Sequence, residues 1–301
     1  MQYPSHSPVN FLGLPDQFSD FQASQALILP VPYEATTSYK GGTKYGPEAI
    51  IHASTQVELY DQTLGLEPAI QWGIHTLPTL ALDLTSQLSA IIGIAEAVAE
   101  ASSYGKLLGV LGGEHSISVG VAQGLRSSYT DFVVVQLDAH ADLRDSYEGS
   151  PLSHACMARR VSEHHEIMQL GIRSLDVSEA EFLADCQGRV RCHNADVMRV
   201  NRTYLDELVR FVSGKYVFLT MDVDVFDPSI MPSTGTPEPG GLGWYDVLEI
   251  IQRIVDNGNV IAFDCVELSP IPGLHAPDFT VAKLIYKLIS AVLYKNHKTA
   301  S

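Results

Sequence analysis

The sequence is short of cysteine and of basic residues, and each shortage excludes a class of protein. Among 301 residues there are four cysteines, none in a Cys-x-x-Cys pair, so a disulfide framework is excluded and reduced thiols are expected. Lys and Arg number 19 against 35 Asp and Glu, which gives a formal net charge of −16. Because nucleic acids and anionic membrane surfaces bind cationic proteins, neither is an expected partner.

Long hydrophobic runs are also absent. The longest apolar stretch, residues 88–99, is too short to cross a membrane and contains Glu96. The first six residues lack the basic and apolar regions of a secretory signal. Hydrophobic residues make up 46% of the chain and charged residues 18%, which excludes disorder. These features predict a folded cytoplasmic protein.

Short β-rich apolar runs alternate with longer segments of helical periodicity, and this alternation predicts an α/β fold. Runs that are apolar throughout, such as residues 132–135, are typical of strands covered on both faces. We therefore expect a mostly parallel sheet between two layers of helices, in a single domain over residues 1–301. An irregular arm is expected over 1–20 and a loose tail over 296–301. The predicted strands are 26–31, 106–111, 132–137, 167–172, 216–221 and 260–266, and the predicted helices are 47–59, 85–102, 117–125, 204–212, 244–256 and 278–294.

Carboxylates and histidines follow three of these strands, at the point where each strand ends. In a parallel sheet, ligand sites form beyond the carboxyl ends of the strands. Alternate residues of extended backbone share one face, so an Asp-x-His-x-Asp run and an Asp-x-Asp run each present their side chains together. The residues that we expect to converge are His115, Asp138, His140, Asp142, Asp222 and Asp224.

Four aspartates gathered in one cleft would repel one another, and two divalent cations would remove that repulsion. Six protein ligands suit two metal ions about 3.5–4 Å apart. Oxygen and imidazole donors without thiolate favour Mn²⁺, with Ni²⁺, Co²⁺ or Fe²⁺ as alternatives. A single Asp-x-His after a strand is more often a turn or a helix cap, but three such segments at strand ends indicate a metal site.

The motifs resemble those of the ureohydrolases, the family of arginases and agmatinases. Residues 112–116 read Gly-Gly-Glu-His-Ser, 138–142 read Asp-Ala-His-Ala-Asp, and 222–228 read Asp-Val-Asp-Val-Phe-Asp-Pro. Segments 38–50, 235–242 and 266–270 extend the likeness over most of the chain. The resemblance implies a three-layer α/β/α fold with an eight-stranded parallel sheet, a binuclear Mn²⁺ centre held by the six residues above, and a trimer or hexamer.

Within the family, residues 147–160 look most like bacterial and archaeal agmatinases. Arginases use an Asn two residues after the Asp-x-His-x-Asp motif to hold the substrate's α-carboxylate, and Arg144 stands there in this chain. The expected activity is therefore hydrolysis of agmatine, a small cationic guanidino compound, to putrescine and urea. Two alternatives remain open: hydrolysis of guanidinobutyrate, guanidine or arginine, or a catalytically silent metal-binding regulator.

Four side chains have expected roles in this reaction. Asp142 would hold the attacking hydroxide, Glu267 would pair with the guanidinium, and His154 would carry the proton to the leaving amine. Glu148 is a candidate partner for the substrate's distal ammonium. Two competing interpretations remain. Glu267 would be a surface acid at a strand end, and His154 would be a histidine bonded to backbone at a helix start.

Overall fold

The computed structural model describes residues 9–300, and the side chains as far as residue 298. Eight strands form one sheet in the order β2-β1-β3-β8-β7-β4-β5-β6, and every neighbouring pair is parallel. Most strands are fully buried, as expected for a sheet covered on both faces. The strands are β1 (Ala26–Val31), β2 (Ile74–Thr76), β3 (Leu107–Gly112), β4 (Val133–Leu137), β5 (Ile167–Ile172), β6 (Val190–Asn194), β7 (Tyr216–Asp222) and β8 (Asn259–Val266).

Helices cover both faces of the sheet and bury two separate apolar clusters. One cluster joins the sheet to α2, α9, α10 and α11, and the other joins it to α4, α5 and α6. This is the three-layer α/β/α arrangement that the sequence predicts. The helices are α1 (Asp16–Ser19), α2 (Gly46–Ser54), α3 (Pro68–Trp72), α4 (Gln87–Ser102), α5 (Ile117–Leu125), α6 (Met157–Ser162), α7 (Val177–Asp185), α8 (Ala195–Val200), α9 (Thr203–Val212), α10 (Trp244–Asn257) and α11 (Ala276–Ala300).

The two chain ends differ from the sequence-based expectation. Of the arm predicted over 1–20, residues 1–8 lie outside the described residues. Residues 9–20 hold two short helical turns, and Phe11 is fully buried there, because its apolar side chain joins the core beside α2. Instead of a loose tail from residue 296, helix α11 continues to Ala300.

The carboxyl ends of four adjacent central strands, β3, β8, β7 and β4, open at the same edge of the sheet. These are the strand ends after which the acidic and histidine motifs occur. Within residues 9–300 there is no helix whose length and apolarity would let it cross a bilayer.

Candidate metal centre

The six predicted ligands are brought together at the ends of β3, β7 and β4, three of the four adjacent strands at this edge of the sheet. His115 follows β3, Asp222 is the last residue of β7, and Asp224 lies in the 3-10 turn Val223–Val225. Asp138, His140 and Asp142 follow β4. Five of the six residues are buried, and the side chain of His140 is 23% exposed, so it faces the cleft.

Unusual backbone conformations shape this edge of the sheet. Asp142 and Glu267 have φ of 52° and 64°, a left-handed region in which residues other than glycine are uncommon. At Gly113, a Cβ atom would lie 1.8 Å from the carbonyl oxygen of Tyr33, so only glycine allows the chain to pass there and present His115. Strained backbone of this kind clusters at functional sites.

The first donor set surrounds Nδ1 of His115. This atom lies 3.1 Å from a carboxylate oxygen of Asp138 and 3.1 Å from one of Asp142. A carboxylate oxygen of Asp222 lies 3.5 Å away. The ligand atoms of His115, Asp138 and Asp142 all fall within 4.8 Å of one another, which is close enough for one ion to contact all three.

The second donor set contains His140, Asp224 and, again, Asp138. Nδ1 of His140 lies 2.9 Å from Oδ2 of Asp224 and 3.7 Å from Oδ1 of Asp138. These three ligand atoms also lie within 4.8 Å of one another. Asp138 offers one oxygen to each set, so the two sets together would hold two cations.

Hydrogen bonding around His115 tests whether these residues fit a metal ion. Nε2 lies 2.8 Å from the hydroxyl oxygen of Thr220, a group able to accept a hydrogen bond from Nε2–H. The neutral ring then directs the lone pair of Nδ1 at two carboxylates. None of the residues 9–300 satisfies Nδ1 with a hydrogen bond. A buried lone pair facing carboxylate oxygens is the arrangement that a cation completes, so the donor set fits a metal.

The pKa values show how strongly the site favours positive charge. Burial alone would lower the pKa of His140, but Asp224 and then Asp138 raise it to about 11. Burial, followed by the charges of Asp224 and Asp142, raises the pKa of Asp138 to about 7. The pKa of Glu267 is also raised well above its usual range, first by burial and then by Glu114. Bound cations would relieve the same repulsion without protonating these groups.

A row of polar side chains lies beneath the proposed ligands and was not predicted from the sequence. Gln169, Gln136, Thr220 and Asp264 are register partners across β5, β4, β7 and β8, and all four are fully buried. Within this polar row, Gln169 donates to Gln136 at 2.8 Å, and Gln136 donates to Asp138 at 2.7 Å. A signal was present: Gln136 and Thr220 each stand two residues before a ligand aspartate, on the same strand face.

A cleft at this edge contains two of the other predicted site residues. Glu267 and His154 both line it together with ligands of both sets. Glu267 accepts a hydrogen bond from the main-chain N–H of His115 at 2.7 Å, so its carboxylate is fixed beside the cluster. Glu148 is exposed in a turn between Tyr147 and Ser150 and is not among the residues that line the cleft.

Arg144 lines the outer part of the cleft, but its charge is engaged. The guanidinium lies 2.5 Å from the carboxylate of Asp176 and 5.0 Å from the ring centre of Tyr147. Asp176 also caps helix α7. Lys40 lines the cleft as well. The floor of the cleft is therefore anionic, and in its outer wall the positive charge of Arg144 is already paired with Asp176.

The chain is similar to known proteins over most of its length. Residues 24–290 match the family model described as the Arginase family. The chain is 39% identical over 298 residues to the N(1)-aminopropylagmatine ureohydrolase of Synechocystis sp., covering 94% of this chain and 96% of that protein. It is 35% identical over 276 residues to the agmatinase of Pyrococcus horikoshii, covering 90% and 93%.

A solved structure shares the same architecture. The agmatine ureohydrolase of Thermoplasma volcanium superimposes with a TM-score of 0.83 at 30% identity, covering 93% of this chain and 94% of that one.

Proposed function

The chain belongs to the arginase family and is a ureohydrolase of the agmatinase type, and on that premise we propose that it hydrolyses N(1)-aminopropylagmatine, with agmatine as the second candidate. The observation that carries the proposal is a cleft with an anionic floor, in which Glu267 lies beside two donor sets that share Asp138. The 39% identity to a relative named for the aminopropyl compound favours it over agmatine.

The guanidinium is the part of the substrate that the cleft floor recognises. Glu267 is buried and fixed through the N–H of His115, and its carboxylate suits a charge-assisted pair with two guanidinium N–H groups. Two divalent cations, which we propose are Mn²⁺, would lower the pKa of a bound water and polarise the guanidinium.

Proton handling falls to two side chains. Asp142 would accept a hydrogen bond from the attacking water, and this role is supported by a carboxylate that lies beside His115 and lines the cleft. His154 lines the same cleft and would give a proton to the leaving amine. Urea and the free amine are then the products.

The outer wall favours a substrate whose far end is an amine. The Arg144 guanidinium is neutralised by Asp176, so it does not offer a free positive charge to a substrate carboxylate. Lys40 does line the cleft, and for that reason a substrate with a distal carboxylate belongs in the test.

Urea release measured with metal-loaded protein tests the proposal. We expect kcat/KM to be highest with N(1)-aminopropylagmatine, lower with agmatine, and at least about 100-fold lower with arginine, guanidinobutyrate or guanidine. Equal turnover of arginine or guanidinobutyrate would contradict the amine assignment, and faster turnover of agmatine would reverse the order of the two candidates. Two bound metal ions without turnover of any of them would favour the regulator.

We also propose a cytoplasmic enzyme that assembles as a trimer or hexamer. All four cysteines are free in the structure, as they are in a reducing compartment. Sedimentation analysis of the metal-loaded protein tests the assembly, and a monomer would contradict it. Elemental analysis of protein from cells tests the identity of the metal.

A further inference from the structure

We propose that Thr36 and Glu114 are positioning residues that hold His154 with a proton on Nδ1, leaving Nε2 to exchange the catalytic proton. The inference rests on the proposed function, because it takes His154 as the proton carrier of urea release. The three residues come from distant parts of the chain: Thr36 follows β1, Glu114 follows β3, and His154 begins the 3-10 turn before α6.

Glu114 is the fixed point of this arrangement. Its carboxylate is fully buried, and Oε2 accepts from the main-chain N–H groups of Ala35 and Thr36, each at 2.6 Å. Oε1 accepts from the hydroxyls of Thr36 and Ser116, also at 2.6 Å each. With four donors on two oxygens, the carboxylate acts as an acceptor throughout. The single hydroxyl proton of Thr36 is therefore committed to Glu114.

This commitment decides what Thr36 offers to His154. The Thr36 oxygen has only acceptor capacity left, and it accepts from the main-chain N–H of His154 at 2.9 Å. The same oxygen lies 3.2 Å from Nδ1 of His154. An acceptor at that position favours an N–H on Nδ1, so in the neutral ring the lone pair is on Nε2.

The arrangement suits a group that both receives and gives a proton. Nδ1–H keeps its acceptor whether the ring is neutral or protonated, so the proton at Nε2 moves without reorienting the ring. One other group competes: the hydroxyl of Ser153 lies 3.3 Å from Nδ1 and could donate to it, which would place the proton on Nε2 instead.

Nuclear magnetic resonance of ¹⁵N-histidine-labelled protein reports the tautomer directly. With the His154 signal identified by its loss in His154→Asn, we expect Nδ1 to be protonated in the neutral ring of the unaltered protein. Thr36→Val should shift the population toward Nε2–H, and Thr36→Ser should restore Nδ1–H. Protonation on Nε2 in the unaltered protein, or a tautomer that changes in Ser153→Ala but not in Thr36→Val, would overturn the inference.

Kinetics supply the second readout. Thr36→Val should lower kcat by about 100-fold, the scale of a lost acid–base contribution. KM should stay within about threefold, because the guanidinium contacts are intact. Thr36→Ser should recover most of kcat, and the metal content should stay unchanged in both variants. The matched control is Thr280→Val, which removes an exposed hydroxyl on α11.

The outcomes separate this inference from the proposed function. An unchanged kcat in Thr36→Val, or equal losses in Thr36→Val and Thr36→Ser, would overturn the positioning role while urea release by the unaltered enzyme still stands. If the unaltered protein released no urea from any guanidino compound, the proposed function would fall, and the tautomer measured in the three proteins would still decide the positioning of His154.

Discussion

At the scale of single residues, contacts on two sides of its ring orient His115. The ring of His115 is fixed on one side by Thr220 and faces the carboxylates of Asp138 and Asp142 on the other. Asp138 in turn accepts from Gln136 and from the main-chain N–H of His140. These side chains are therefore already oriented in the folded protein. The repulsion between their like charges makes the free energy of folding less favourable.

Removing one ligand carboxylate should abolish both metal retention and activity. Asp138→Asn or Asp224→Asn keeps the shape of the side chain but removes one of the negative charges that would hold the proposed cations. We expect urea release to fall below detection and the metal content of dialysed protein to fall with it. Asp185→Asn, on the exposed face of α7, is the control and should behave as the parent. Parent-like rates in both ligand variants would refute the ligand assignment.

Glu267→Gln should separate substrate binding from metal binding. The carboxylate belongs to neither donor set, so metal content should stay at the level of the parent protein. The amide loses the charge that pairs with the guanidinium, and we expect kcat/KM to drop at least about 100-fold. Metal analysis and urea assays on the same preparation check both parts. Loss of metal together with activity would instead make Glu267 a structural support of the cluster.

The buried ring of His165 gives a pH dependence of stability outside the cleft. It stacks on Phe132 at 4.0 Å, and burial lowers its pKa below the usual 6.5. The unfolded chain therefore binds the proton more readily than the folded one. Its contribution to the free energy of unfolding is present above pH 6.5 and is lost as the pH falls through the lowered pKa.

Denaturant unfolding between pH 8 and 5 measures this effect. We expect His165→Gln to show a shallower loss of stability on acidification than the parent protein does. The control His52→Gln, an exposed residue of α2, should keep the parent slope. Identical slopes in all three proteins would exclude His165 as a source of the pH dependence.

At the scale of secondary-structure elements, the strands that the sequence predicts are the buried ones. Six strands were predicted close to their observed bounds, because each is a fully or almost fully buried apolar run. The two that were missed, β2 and β6, are the two edges of the sheet. β2 has three residues, and β6 is partly exposed with Arg191, His193 and Asn194 in it, so neither shows the pattern of a central strand. The eight-stranded count came from the family resemblance.

In the candidate site, residues that come together through local spacing were predictable from the sequence, and residues that depend on distant parts of the chain were not. The proximity of the proposed ligands was predictable because local spacing and strand ends place them together, and their binding of metal remains a prediction. Thr36 was not, since its role depends on Glu114, which is 78 residues away in the chain, and on His154, 118 residues away. The catalytic roles of Asp142, His154 and Glu267 remain predictions, and the cleft contains all three residues. Glu148 was chosen for its charge, and it is exposed in a turn and is not among the residues that line the cleft.

The polar row makes a prediction at this scale. Thr220→Val is nearly isosteric but removes the acceptor for Nε2–H of His115, and loss of such a support typically weakens metal binding 10–100-fold, so we expect about that change. Titration of metal-free protein with Mn²⁺ measures it. The same substitution on the surface, Thr280→Val, should leave the affinity unchanged. An unaltered affinity in Thr220→Val would show that the row serves packing only.

At the scale of the whole molecule, negative charge and the cluster act in the same direction. The net charge of −16 favours association with cations, both metal ions and the proposed polyamine-like substrate. The donor residues come from β3, β4 and β7, so an ion bound among them joins segments that lie far apart in the chain. Binding to the folded state alone then stabilises the whole fold.

Chelation should therefore lower the thermal unfolding temperature. A ligand present at 100 times its Kd contributes about 2.7 kcal/mol to the free energy of unfolding, which corresponds to several degrees for a chain of this size. Differential scanning calorimetry with EDTA, followed by added Mn²⁺, measures the loss and its recovery. Asp138→Asn should not respond to either addition. If neither addition changed the unfolding temperature of the parent protein, no bound cation would be stabilising these strands.

The position of β8 has a consequence for synthesis on the ribosome. This strand lies between β3 and β7 in the sheet, yet it is the last strand of the chain, at residues 259–266. A nascent polypeptide that has already exposed every ligand still lacks the piece that brings β3 alongside β7. Ion capture and catalytic competence therefore arise late, only after the translated chain has reached that final strand, and products of premature termination before it would be unable to acquire either.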